Sequence, residues 1–129
     1  MANSTIRTNP CVDLTSQITV ASPLPTGVTG ASVKAAQTGH TVQVYAVVTR
    51  DSNSMISYQT IATGLPKPKL SALSIGGTTY AMGFGWQSSD AYIRPLAVMV
   101  SQEGTLRVAR GGSSGNFVLT FCYLTDDLP

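Results

Sequence analysis

The sequence predicts an all-β chain, an antiparallel sandwich or barrel of about eight to ten short strands. Three observations point there. Short apolar runs recur between turn residues along the whole chain. No window carries apolar residues at i, i+3, i+4 and i+7 between helix caps. The best-defined run, TVQVYAVVTR, alternates apolar and polar positions and is rich in β-branched residues, which suit a pleated surface.

In chain order, residues 18–21 in SQITVAS read as a short strand, stopped by SPLPTG. Residues 33–37 are a second candidate. Residues 41–50 form the strong strand just quoted, closed by the turn DSNS. MISYQTIA, residues 55–62, follows at hairpin distance. TGLPKPK, with two prolines and a glycine, excludes a central strand. LSALSI and TTYAMGFGW flank Gly76-Gly77, a dipeptide suited to a two-residue hairpin turn. In AYIRPLAVMVSQ, Pro95 marks a bulge or a strand start. Residues 98–101 and 106–109 are joined by SQEGT, where Gly104 is free to take positive φ. The last strand covers residues 116–124. Its length of 129 residues suits a single domain, with residues 1–30 an irregular segment able to act as an arm onto another subunit or a capsid.

Two strands are apolar on both faces. Side chains alternate across a strand, so Phe117, Leu119, Phe121 and Tyr123 share one side of the last strand, and Val118, Thr120, Cys122 and Leu124 the other. In the strong strand Val42, Val44, Ala46 and Val48 oppose Tyr45 and Val47. A two-sheet sandwich needs one apolar face per strand. The second face implies a cover, either from the N-terminal segment or from another subunit. Self-association is the more economical reading.

Composition excludes several classes. Charged residues make up 11% of the chain, and the eight basic and six acidic residues leave a net charge of only +2. The basic residues are scattered, without the dense stripe that tracks phosphates, so nucleic-acid binding is not expected. No apolar stretch nears the ~20 residues of a helical membrane span. The start, MANSTIRTNP, lacks the plan of a signal peptide, which implies synthesis in the cytosol without cleavage. For Cys11 and Cys122 a chain-closing disulfide and two buried thiols are both open, the thiols being favoured by the missing secretion signal.

The carboxy-terminal half resembles a family. TGLPKPK, the hairpin in AYIRPLAVMVSQEGTLRVA, a small-residue loop and the closing NFVLTFCYLT are similar to the carboxy-terminal modules of bacteriophage tail, baseplate and head-fibre proteins. The resemblance covers residues 63–125. It implies a jelly-roll β-sandwich, similar in shape to complement-C1q and tumour-necrosis-factor domains, and a homotrimer whose axis is lined by strand residues. Phe117, Leu119, Phe121 and Tyr123, or the opposite face of the same strand, are then the expected interface. It further implies a virion location and contacts with other virion proteins. Such modules usually hang from a long stalk and none is seen here, so either the protein is free-standing or a stalk has been trimmed; the start MANSTIRTNPCVDLTSQ favours a complete small protein, which fits a decoration or head-fibre protein as well as a tail tip.

Catalytic constellations are scarce. His40, the single histidine, sits in a TGHT turn with no evident nucleophile or orienting acid. Cys11, His40 and Cys122 match no zinc spacing. Asp126, Asp127 and Glu103 read as solvated, and ARGGSSGN leads into a strand, not into the helix that a phosphate cradle requires. No enzyme, cofactor or metal is expected. Binding has more support. GFGWQSSDAYIR holds the only tryptophan, Trp86, beside Asp90, Tyr92 and Arg94, the mixture of ring face and polar groups that holds sugars. The competing reading is that Trp86 caps the core. A trimeric virion protein that attaches to host surfaces is the first expectation, and a small lectin-like carbohydrate-binding module, with a host glycan as ligand, is the alternative.

Overall fold

The computed structural model describes residues 10–69, 81–87, 95–112 and 114–129. Its strands are β1 (Cys11–Asp13), β2 (Thr19–Val20), β3 (Val28–Thr38), β4 (Thr41–Arg50), β5 (Gln59–Thr63), β6 (Ala81–Gln87), β7 (Pro95–Val100), β8 (Leu106–Arg110) and β9 (Gly115–Leu124). A 3-10 turn at Thr15–Gln17 is the sole helical element among the described residues. The strands form one antiparallel sheet in the order β1-β3-β4-β9-β6-β7-β8-β5-β2, curled into a half-barrel.

The curl is closed by the segment that holds both edges. β1 pairs with β3 on one side of the sheet and β2 with β5 on the other, and only the 3-10 turn and its flanks separate them in sequence. Leu14 sits at the crossing with 3% of its surface exposed, its N–H donating to the Ala35 carbonyl at 2.8 Å. Gln17 donates from Nε2 to the Gly64 carbonyl at 2.9 Å on the far side. Of residues 1–30, expected to be an irregular segment, β1, β2 and the start of β3 pair within the chain's own sheet and the stretches between them are turns and bends; the part before Pro10 lies outside the described residues. Edge strands this short leave little backbone open to unwanted pairing.

The strong strand and the last strand are neighbours. β4 and β9 pair from Thr41↔Leu124 to Arg50↔Gly115 without a break. Val42, Val44, Ala46 and Val48 and the facing Phe117 and Leu119 are at most 1% exposed and join Leu96, Val98, Leu106 and Val108 in one core. Burial follows the alternation read from the sequence at every position of β4 and β9 from Val42 to Val48 and from Phe117 to Tyr123.

Three expected strands shift. β3 begins at Val28 because its alternation is disguised: Ala35 and Gln37 fill inward positions, and a bulge interrupts the register near Gly30. β5 begins at Gln59, not Met55. Tyr58 adopts φ 54°, which breaks the run and leaves Ile56 with an isolated bridge to Gly111. Nor does β5 form a hairpin with β4, whose two sides are already paired with β3 and β9; it pairs with β8 and β2. Pro95 opens β7, the second of the two outcomes anticipated for it, and is paired regularly with Trp86; the bulge in this strand pair lies farther on, where β8 carries the extra residue Ala109. Gly104 takes φ +82° in the turn after β7, as its place in SQEGT required. LSALSI and Gly76-Gly77 lie outside the described residues.

Candidate functional site

β6 has its pattern inverted. In AMGFGWQ the inward positions are Gly83 and Gly85, and the outward positions are Met82, Phe84 and Trp86. A Cβ on Gly83 would lie 2.5 Å from Phe121 Cδ1, and one on Gly85 2.5 Å from Leu119 Cγ. Glycine at both lets the β6 backbone lie directly on the side chains of β9. From Met82 to Trp86 the strand therefore gives its own core no side chain and spends its bulk on the outside, while the small Ala81 packs against the core. Met82, Phe84 and Trp86 are 47%, 57% and 54% exposed.

Neighbouring strands extend this stripe. Trp86 is registered between Val118 of β9 and Pro95 of β7, and Val118 in turn faces Val47 of β4. Phe84 is opposite Ala97 and Met82 is opposite Met99. Paired residues share a face, so these side chains make one outer apolar surface that crosses four strands. An aromatic side chain carries ~150–250 Å², so the three β6 residues leave roughly 350 Å² open, within the range of the largest patch on an ordinary monomer.

Beside the stripe, on β1, β3, β4 and β9, the same outer face dips into a groove of about 340 Å³. Two adjacent rows line it. Asp13, Ala36, Gln43 and Cys122 are registered across four strands, and Lys34, Tyr45 and Thr120 form the next row. Ala36 stops at Cβ between two longer neighbours, which makes the hollow. Tyr45 is 49% exposed. Asp13 is held below the usual carboxylate range by hydrogen bonds from Thr15, assisted by Lys34; the Thr15 N–H donates to its Oδ1 at 2.9 Å.

The residues singled out from sequence fare differently. Phe117, Leu119, Phe121 and Tyr123, expected at a subunit interface, are 0%, 0%, 9% and 8% exposed within the chain's own core. The correction has a simple cause: β9 is central in the sheet, its inner face is consumed by the fold, and only Val118, Thr120, Cys122 and Leu124 look outward. Tyr123 also donates its hydroxyl to the Pro66 carbonyl at 2.8 Å, and burial raises its pKa. Trp86 does not cap the core; it points outward. Asp90, Tyr92 and Arg94 lie outside the described residues. Cys11 and Cys122 are free and exposed, not buried. His40 holds the chain's end in place, its Nδ1 2.8 Å from the Thr125 carbonyl.

The β6 stripe was missed as a unit. Its signal was in the sequence, since glycines at every second position beside large apolar residues are a strand pattern with the faces exchanged. The groove had no such signal, because it depends on the register of four strands.

Among the described residues no group of three or more histidine, cysteine or acidic side chains is placed to hold a metal ion, and no helix is long and apolar enough to cross a membrane. What fold and surface define is an all-β half-barrel with an apolar outer stripe next to a small groove whose mostly apolar floor is edged by polar side chains. Comparison with known protein families, with curated proteins and with solved structures found no match for the chain.

Proposed function

We propose that the protein is a non-enzymatic structural subunit of a bacteriophage particle, a homotrimer that sits on the virion as a tail, baseplate or head appendage and takes part in assembly and attachment to the host surface. The observation that carries the self-association is β6, whose large apolar side chains, Met82, Phe84 and Trp86, face away from its own core. The stripe alone supplies about half of the ~800 Å² that one partner commits to a standard interface, so Val47, Val118, Ala97 and Met99 must be drawn in with it. The virion setting rests on the resemblance of residues 63–125 to phage modules. In this reading the walls β3-β4-β9 and β7-β8-β5 of the curled sheet correspond to the two layers of a jelly-roll sandwich.

Light scattering on a sizing column tests the assembly. The expected mass is three times 13.5 kDa, and Phe84→Glu should reduce it to that of one chain while the circular dichroism of the sheet is kept. A wild-type monomer at tens of micromolar would overturn self-association; a dimer or pentamer would overturn the trimer. For the virion setting, peptides of this chain should be found in density-purified phage particles, and their confinement to the soluble lysate would overturn it.

A further inference from the structure

The geometry points to a second, separate site: the groove at Tyr45 binds a neutral pyranose sugar. This rests on the attachment part of the reading above and not on the trimer.

The groove's chemistry selects the ligand. Tyr45 offers a half-exposed ring on a mostly apolar floor edged by a few polar side chains, and rings of this kind pack against the C–H face of a sugar. Around it stand the Gln43 amide and the Thr120 hydroxyl, each able to donate and to accept, the Lys34 ammonium, which only donates, and the Asp13 carboxylate, which at neutral pH only accepts. Among the described residues the side chains of Lys34, Gln43, Tyr45 and Thr120 have no hydrogen-bond partner, so their capacity is turned to the groove and to solvent. A ligand that satisfies them carries several hydroxyls around an apolar face.

Charge narrows the class further. Asp13 and Lys34 are close enough to influence each other, and their charges cancel. The groove therefore has no net charge with which to favour an anionic or cationic sugar. It also has no catalytic pair. Asp13 is the single acid in its lining, whereas glycoside hydrolysis uses two carboxylates across the bond. Binding without turnover is what these groups support. The volume falls at the small end of ligand sites, which suits one terminal residue of a glycan.

Saturation-transfer NMR of the full chain tests this with methyl glycosides of glucose, galactose, mannose, rhamnose and N-acetylglucosamine, with glucuronic acid and glucosamine as charged comparators. At least one neutral glycoside should bind. Tyr45→Ala should weaken it by about tenfold or more, Gln43→Ala should weaken it, and Tyr45→Phe, which keeps the ring, should stay within about twofold. Trp86→Ala should leave binding unchanged. Tyr45 and Gln43 face outward, so their variants should keep wild-type circular dichroism. No transfer to any neutral glycoside, preference for a charged one, or binding that survives Tyr45→Ala and is lost in Trp86→Ala would each overturn the inference. Light scattering on the same samples separates the two proposals: a trimer that binds no sugar removes the groove alone, and a monomer that binds sugar removes the assembly alone.

Discussion

Gly83 shows how a residue that contributes no side chain decides where its neighbours go. Its missing Cβ is the space that Phe121 occupies, with Cδ1 and Cγ at 2.5 and 2.6 Å from where that carbon would be. Gly83→Ala must push the Phe121 ring or lift β6 off β9. Overpacking of a tight core costs roughly 1–3 kcal/mol, and urea unfolding should show a loss of that size. Gly30→Ala is the internal comparison. Its Cβ would meet Thr49 at an ordinary 3.8 Å, so the change should be neutral or stabilise by about 0.4–1 kcal/mol through the unfolded chain. Equal losses at the two positions would mean that glycine flexibility, and not the contact with Phe121, sets the requirement. Leu119 stands in the same relation to Gly85, so the inward-facing residues of β9 are fixed by what β6 leaves out.

At the scale of elements, the segment 11–20 matters more than its length suggests, because it supplies both edges of the sheet. Leu14 is its anchor in the core. Truncation of a buried leucine costs roughly 2–5 kcal/mol, and here the damage should be distributed in an unusual way. In Leu14→Ala, amide exchange should speed up at Leu14 and at Ala21, whose N–H groups bond to Ala35 on one edge and Ile61 on the other. Faster exchange at one edge alone would show that β1 and β2 are held independently. This clasp was not legible in the sequence. β1 and β2 are too short to show alternation, and their partners β3 and β5 are remote in the chain. The strands with long local patterns were legible: β4 was read at its observed limits, and β9 and β8 to within one residue at an end. The candidate site followed the same division. The double-sided character of β4 and β9 was visible in the alternation, but which side belongs to the core depends on curl and strand order, and these placed Phe117 and Leu119 inside. Polar exceptions blurred the pattern further, as at Gln37, an inward residue of β3 that is fully buried while its amide donates to the carbonyls of Gly39 and Asp127.

For the whole molecule, the half-barrel and its outer stripe make stability a collective property under the proposed assembly. A chain that folds alone melts at a temperature independent of its concentration, whereas one stabilised by copies of itself does not. The stripe is apolar throughout, and among the described residues the charges nearest to it on the same face stand at its borders, Arg110 opposite Ala97 and Arg107 opposite Met99 on β8, with Lys34 farther off on β3. Its contacts should therefore resist salt, because screening weakens ion pairs and leaves apolar burial intact or strengthened. Raising the concentration a hundredfold should lift the melting temperature by about 7 °C, given a trimer and ordinary unfolding entropies. The shift should be the same in 0.1 and 1 M sodium chloride and should vanish in Phe84→Glu. A shift abolished by salt would place the contact on charged groups elsewhere on the surface. A melting temperature independent of concentration in the wild type would mean that the β6 stripe is not covered by a second copy of this chain, and would overturn the proposed self-association.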